Sequence, residues 1–134
     1  MATTVARFTS VNPATEEEIE SFDVADERRI DDALQVAQQA GRDWRAHPIA
    51  ERVALLRAAG DVLRRSADSH AATITQEMGK PLADGKAEVE KCAFVCEYFA
   101  EHAPRFLADE PAPSDSPASF VTFDPLGVLL ACMP

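Results

Sequence analysis

The sequence is poor in glycine and has no glycine-rich loop. Its 5 glycines are scattered over 134 residues, and none falls in a GxGxxG or GxxxxGK[ST] pattern, the loops that cradle phosphates. No apolar run approaches the roughly 20 residues that a membrane-spanning helix needs. No serine or cysteine stands in a recognisable nucleophile elbow. These absences argue against a phosphate loop, a membrane helix and a hydrolase nucleophile within these residues.

The sequence also has few basic residues. The chain has 13 Lys and Arg against 23 Asp and Glu, which gives a net charge of −10. Nucleic acids and anionic membranes repel an acidic surface, so we expect neither as a partner. The first ten residues, MATTVARFTS, lack the apolar core of a secretory signal peptide. We therefore expect the protein in the cytoplasm.

Cysteine and histidine are too few for an evident metal site. Cys92 and Cys96 are one helical turn apart, Cys132 is distant from both, and His102 is the only further ligand candidate nearby. A metal would need more ligands, so the sequence predicts no metal. The interpretation that fits better is buried, reduced thiols in a reducing compartment.

Residues 8–24 predict a β-hairpin. Thr9–Val11 and Glu18–Val24 alternate loosely between apolar and polar residues, as strands do. Between them lies Asn12-Pro13-Ala14-Thr15, a combination typical of turns.

Residues 26–107 carry the spacing of about four helices. Asp26 is a good N-cap for the first helix, which is expected to end near Trp44, a candidate core anchor. Pro48 favours the start of a second helix. Gly60 lies inside that helix, where glycine costs roughly 1 kcal/mol relative to alanine, and it predicts close approach of a neighbouring helix.

Gly79 and Pro81 separate the third and fourth helices. Glycine readily adopts the left-handed conformation that closes a helix, and proline cannot continue one. Apolar side chains of the fourth helix recur at three- and four-residue steps and so share a face that must pack on something. These residues are Val89, Cys92, Ala93, Cys96, Phe99, Ala100 and Ala103. Pro104 predicts a kink or a stop.

The remaining chain predicts an exposed excursion followed by strands. Residues 108–119 are rich in proline, serine and acid and have no apolar period. Phe120–Phe123 is strand-like, and Val128–Met133 is a continuous apolar run that suits a strand buried in a parallel sheet. The backbone N–H and C=O groups of such a strand need neighbouring strands as hydrogen-bond partners. The sequence predicts only one other strand nearby, the short one at Phe120–Phe123.

The chain contains, in order, the segments TQEMGKPL, EVEKCAFVCEYFAEHA and DPLGVLLACMP. Together they resemble the N-terminal part of the NAD(P)-dependent aldehyde dehydrogenases, and the succinate-semialdehyde branch of that family is the most similar. The resemblance covers residues 9–134. It implies a partial α/β fold: the hairpin, about four helices, an oligomerisation-type strand and the first strand of a cofactor domain. It also implies that residues 1–134 are the incomplete N-terminal part of such a domain.

The resemblance implies a function for a longer protein. In that family a cysteine thiolate attacks an aldehyde, hydride passes to NAD or NADP, and a water activated by a glutamate releases the acid. The nucleophile, the base and the oxyanion asparagine all come later in the family's sequences. We therefore expect no catalytic residue in this chain, no activity from it alone and no tight cofactor binding. None of its three cysteines matches the nucleophile's motif.

A few roles follow from the resemblance residue by residue. Cys132, Met133 and Pro134 match the strand end that borders the nicotinamide cofactor, and Glu88 lies in a stretch similar to the helix beside the substrate tunnel. By its residue type alone, Glu88 is more simply a solvated or capping carboxylate. Phe120, Val121, Thr122 and Phe123 match the start of the strands that join subunits. These matches imply a small aldehyde substrate and a homo-oligomer.

Two other interpretations stay open at this stage. The chain could be a stand-alone helical module that binds another protein, or a fragment that interferes with intact subunits by joining them. The second predicted helix also carries a basic cluster, which is either a docking patch or an ordinary solvated face. Its members are Arg52, Arg57, Arg64 and Arg65.

Overall fold

The computed structural model describes residues 6–132 and contains a hairpin, four helices and a second, very short hairpin. The elements are β1 (Arg7–Val11), β2 (Glu18–Asp23), α1 (Glu27–Ala46), α2 (Ile49–Arg65), α3 (Ala67–Met78), α4 (Leu82–Phe106), β3 (Glu110–Pro111) and β4 (Phe120–Val121). The first hairpin and the four helices predicted from the sequence are confirmed.

The first hairpin is an antiparallel pair closed by the predicted turn. Phe8 lies opposite Phe22, and their rings stack with centroids 5.2 Å apart. The Asn12 side-chain oxygen accepts a hydrogen bond from the Ala14 backbone N–H at 2.9 Å, which is the local bond that makes asparagine favourable in turns. Both phenylalanine rings remain substantially exposed.

The core lies where α4 crosses α2 and α3. A Cβ atom added to Gly60 would lie 3.2 Å from the Ala93 carbonyl oxygen, and one added to Gly85 would lie 3.2 Å from the Ala71 carbonyl oxygen. Ala71 and Ala93 are completely buried. The helices therefore approach at glycine–alanine contacts, which confirms the close approach predicted at Gly60.

The predicted helix ends are largely confirmed. The Asp26 carboxylate accepts a hydrogen bond from the Arg29 N–H at 2.8 Å and caps α1. Gly79 has φ +68°, and its N–H donates to the Thr75 carbonyl at 2.9 Å, so it closes α3. Pro104 does not end α4 itself, because the helix continues to Phe106 before it stops.

Helix α1 lies apart from the other helices. None of its residues is buried, and no described helix or strand packs along its length. Trp44 is 44% exposed and contacts the ring of His47, with centroids 5.6 Å apart. The prediction that Trp44 is a core anchor is therefore wrong, because no other element covers the face that carries it.

The strands predicted near the end of the described chain are much shorter than expected. Residues 122–132 form neither helix nor strand, so the strand predicted at Val128–Met133 is absent over residues 128–132; Met133 lies outside the described residues. The prediction fails because no neighbouring strand pairs with this run. The strand predicted at Phe120–Phe123 covers only Phe120–Val121, which pairs with Glu110–Pro111 from the acidic excursion.

The fold leaves an unusually large surface. The accessible area is 10950 Å², whereas a globular protein of 14.5 kDa has about 6,900 Å². The excess on this chain alone is about 4,000 Å², and obligate protein interfaces bury about 2,000–5,000 Å² summed over both partners. None of the described helices is long and apolar enough to cross a bilayer.

Candidate functional site

Glu88 lies on the exposed side of α4 and is paired with a lysine. Its carboxylate forms an ion pair with Lys80, which follows Gly79 in the turn between α3 and α4. The Glu88 side chain is 48% exposed and that of Lys80 is 35% exposed. The turn thus brings a cation to the carboxylate that the resemblance associates with a substrate tunnel. Glu77, which precedes the same turn, is exposed.

Cys132 is the last described residue, and its side chain is exposed. Met133 and Pro134, which the resemblance associates with the same cofactor edge, lie outside the described residues. Because residues 122–132 have no regular structure, the described chain supplies at most one edge of a dinucleotide site. These residues alone do not fit a nicotinamide cofactor.

The two cysteines of α4 are less buried than predicted. Cys92 is exposed, and Cys96 is partly covered where its Cβ faces Gly60 of α2. The prediction of buried thiols is wrong for Cys92, because the completely buried positions on this helix are Ala93 and Ala100. Within residues 6–132, no group of three or more His, Cys, Asp and Glu side chains could hold a metal ion.

Arg64 joins α2 to α4 by two ion pairs. Its Nη2 atom lies 2.8 Å from Glu90 Oε1 and 2.9 Å from Glu97 Oε2. Its Nε atom donates to Glu90 as well, at 2.9 Å. On the same helix, Arg57 donates to the Ala100 carbonyl of α4 at 3.4 Å. Arg57 is nevertheless exposed, and the Arg64 side chain remains 33% exposed, so the basic cluster is a solvated face whose edge contacts α4.

These ion pairs change how readily the groups ionise. Arg64 donates hydrogen bonds that lower the pKa of Glu97, and the Glu97 and Glu90 carboxylates that accept them raise the pKa of Arg64. Lys86, whose ammonium lies 2.6 Å from Asp68, lowers the pKa of that carboxyl in the same way. A lowered carboxyl pKa stabilises the folded state at pH values above the unfolded pKa, about 4.3 for Glu. The stabilisation is lost as the pH falls through the lower, folded pKa.

We expect Arg64→Gln to reduce stability at neutral pH but not in acid. At pH 7 the variant lacks both ion pairs, so its free energy of unfolding should be below that of the wild type. At a pH of about 3, below the unfolded pKa of glutamate, the difference should be smaller, because the stabilisation is lost as the pH falls through the lowered pKa of Glu97. Urea denaturation followed by circular dichroism at the two pH values measures both differences.

Arg65→Gln is the matched control for this prediction. Arg65 is adjacent and exposed, and it forms no ion pair within the described part of the chain. The Arg65→Gln variant should have nearly the same free energy of unfolding as the wild type at both pH values. An Arg64→Gln deficit of the same size at pH 7 and pH 3 would show that the side chain stabilises by packing rather than by charge.

An open groove of about 470 Å³ separates α1 from residues 125–128. Asp124 forms an ion pair with Arg45 of α1 at 3.0 Å, and Val128 lies near Gly41, 3.9 Å from the position of an added Cβ. This contact between α1 and the later segment was not predicted from the sequence. No local pattern signals it, because the two partners belong to distant parts of the chain.

Known proteins resemble the chain in sequence and in fold. Residues 1–134 match the model of the aldehyde dehydrogenase family. The chain is 40% identical over 125 residues to a probable succinate-semialdehyde dehydrogenase [NADP(+)] of Synechocystis, covering 93% of this chain and 28% of the relative. It is 41% identical over 125 residues to the succinate semialdehyde dehydrogenase [NAD(P)+] Sad of Escherichia coli. That match covers 93% of this chain and 27% of the relative.

Solved structures agree with the sequence relatives. The crystal structure of succinic semialdehyde dehydrogenase from Streptococcus pyogenes, in complex with NADP+, superposes with a TM-score of 0.79 at 30% identity. The match covers 86% of this chain and 26% of that one. The chain thus spans little more than a quarter of the length of the curated relatives above. The predicted partial α/β fold is confirmed, and the chain belongs to the aldehyde dehydrogenase family.

Proposed function

We propose that this chain is the N-terminal part of an NAD(P)-dependent succinate-semialdehyde dehydrogenase. The longer protein would oxidise succinate semialdehyde, or a similar small aldehyde, to the carboxylic acid with NAD or NADP as the hydride acceptor. The observation that carries the proposal is 40% identity, over 93% of the chain, to a relative named for this substrate. Family membership supports the class of reaction, and the names of the relatives support the choice of aldehyde.

In this proposal the residues of the chain position the site rather than react. Glu88 on α4 would border the substrate entrance, and Cys132, Met133 and Pro134 would border the cofactor. Phe120–Phe123 would begin the strands that join subunits into a homo-oligomer in the cytoplasm. No nucleophile or general base is assigned to residues 1–134.

The pairing of Glu88 with Lys80 supports an anionic substrate. Succinate semialdehyde carries a carboxylate, which an unpaired Glu88 would repel at close range. The ion pair with Lys80 offsets part of that repulsion. The entrance proposed here is therefore compatible with a negatively charged aldehyde.

A chimera tests the proposal. Residues 1–134 would replace the matching segment of the Escherichia coli relative, and NADPH formation would be followed with succinate semialdehyde. We expect the chimera to reduce NADP+ with this aldehyde and more slowly with butanal, which has the same carbon chain but no carboxylate. The 134-residue chain alone should show no rate above background.

Two results would contradict the proposal. The first is a folded chimera, with the circular dichroism of the intact relative, that oxidises neither aldehyde. The second is dehydrogenase activity from the isolated chain. A chimera that prefers butanal would keep the family's reaction and overturn the assignment of the substrate.

One observation favours the alternative of a helical module that binds another protein. Large apolar side chains are exposed on α1 and α4, among them Trp44 at 44% and Phe94 at 58%. Such surfaces mark interaction sites. Amide hydrogen exchange of the isolated chain distinguishes a module that is stable alone from part of a larger domain.

A further inference from the structure

Two contacts join the end of α1 to residues 124–128, the segment that runs towards Cys132. Arg45, in the last turn of α1, forms an ion pair with Asp124, and the distance from Nη2 to Oδ1 is 3.0 Å. One turn earlier, Gly41 has no side chain, and a Cβ added there would lie 3.9 Å from Val128 Cγ2. Because Gly41 and Arg45 share one face of α1, the segment lies along that face.

The backbone of the segment is restricted between these two contacts. Asp124 precedes Pro125, and the residue before a proline is confined mainly to extended conformations. Pro125 itself has a fixed φ. Gly127 has φ +132°, a conformation that residues with a side chain rarely adopt. A segment with so little conformational freedom can be held in place by few contacts, because little entropy is lost when it docks.

Few other contacts fix the course of the segment. Within the described part of the chain, no backbone hydrogen bond joins residues 123–132 to another residue. Asp124 also borders a cavity that a second arginine lines, Arg52 of α2, but its ion pair is with Arg45. The path of the chain beyond Asp124 therefore depends on side-chain contacts, and those with α1 span residues 124–128.

We propose that Arg45 and Asp124 are positioning residues, which hold residues 124–128 against α1 and so direct the chain towards Cys132. The side chains are 54% and 65% exposed, and ion pairs this exposed contribute little to stability. The pair therefore determines where the segment lies rather than whether the protein folds. That the segment leads to the edge of a dehydrogenase site rests on the proposed function, whereas the positioning rests on the contacts alone.

Reversing the charges in the chimera described above tests the inference. Arg45→Asp and Asp124→Arg each bring like charges together, and the double variant restores the ion pair with its charges exchanged. Arg42→Asp is the matched control, because Arg42 lies one turn earlier, is exposed and forms no ion pair within residues 6–132. Circular dichroism checks that every variant keeps its helices.

Two measurements report on the position of the segment. Amide hydrogen exchange, followed by mass spectrometry, gives the protection of residues 126–132, and steady-state kinetics give the KM for NADP+ and for succinate semialdehyde. Each single reversal should speed exchange in the segment and raise the KM for NADP+, both by at least about twofold. Residues 89–100, which lie in the core, should exchange as slowly as before.

The double variant should return both values towards those of the unsubstituted chimera, and Arg42→Asp should leave them unchanged. Unchanged exchange in both single variants would overturn the inference. So would a double variant that exchanges as fast as the single ones, because the effect would then belong to each side chain separately and not to the pair.

The exchange measurement separates this inference from the proposed function. A folded chimera that oxidises no aldehyde but shows the expected exchange pattern would contradict the proposed function and support the positioning role. An active chimera whose exchange is the same in all variants would support the function and overturn the positioning role.

Discussion

Replacing Gly85 with leucine is expected to destabilise the helical layer by about 1–3 kcal/mol or more. An added Cβ would lie 3.2 Å from the Ala71 carbonyl oxygen and 3.3 Å from the Ala71 Cα. These are backbone atoms, which cannot rotate away as a side chain can, so α3 and α4 would have to separate. Gly60→Leu should act similarly against the Ala93 carbonyl of α4. Urea denaturation followed by circular dichroism measures the loss.

Gly41→Ala is the matched control, and it should increase the free energy of unfolding instead of lowering it. Gly41 lies inside α1, and the nearest atom to an added Cβ there is Val128 Cγ2 at 3.9 Å, an ordinary contact. Alanine gains up to about 1 kcal/mol of helix propensity over glycine at such a position. If Gly85→Leu unfolds at the same urea concentration as the wild type, the glycine–alanine crossing described here is wrong.

Local features of the fold could be predicted from the sequence because their causes are local. Asp26 caps α1 through a bond to an N–H three residues on, and Gly79 ends α3 because its own backbone tolerates positive φ. The hairpin turn uses the side chain of Asn12 in the same way. Gly60 is the one long-range contact that the sequence indicated, because glycine inside a helix usually has a packing reason.

Features that depend on distant partners could not be predicted in the same way. The sequence predicted that Trp44 at the end of α1 is a core anchor, but helical spacing does not specify which surface covers a side chain. The run at Val128–Met133 has the composition of a buried strand, and over its described part it forms none, because composition does not provide a neighbouring strand.

Only some contacts of the candidate site could be predicted from the sequence. The resemblance placed Glu88 on the fourth helix, and the structure shows it there. Its ion pair with Lys80 depends on how the Gly79 turn directs the chain, which spacing alone does not give. The two ion pairs of Arg64 depend likewise on how α2 crosses α4. The roles proposed for Cys132, Met133 and Pro134 remain predictions from the resemblance.

The amides of α1 are expected to exchange with solvent far faster than those of α4. We propose that more of the longer protein covers the surface of this chain, and α1 is the least covered of the four described helices. An unpacked helix of 20 residues is only marginally stable in water. Its amides should therefore exchange with solvent hydrogen orders of magnitude faster than those of α4 between Val89 and Ala100, which lie in the core.

Amide hydrogen exchange, measured by mass spectrometry on the 134-residue chain and on the chimera, tests this directly. The account predicts that residues 27–46 exchange rapidly in the isolated chain and become protected in the chimera. Residues 89–100 should be the slowest to exchange in both proteins. Equal protection of α1 and α4 in the isolated chain would contradict the account, because the chain would then be a complete, stable unit by itself.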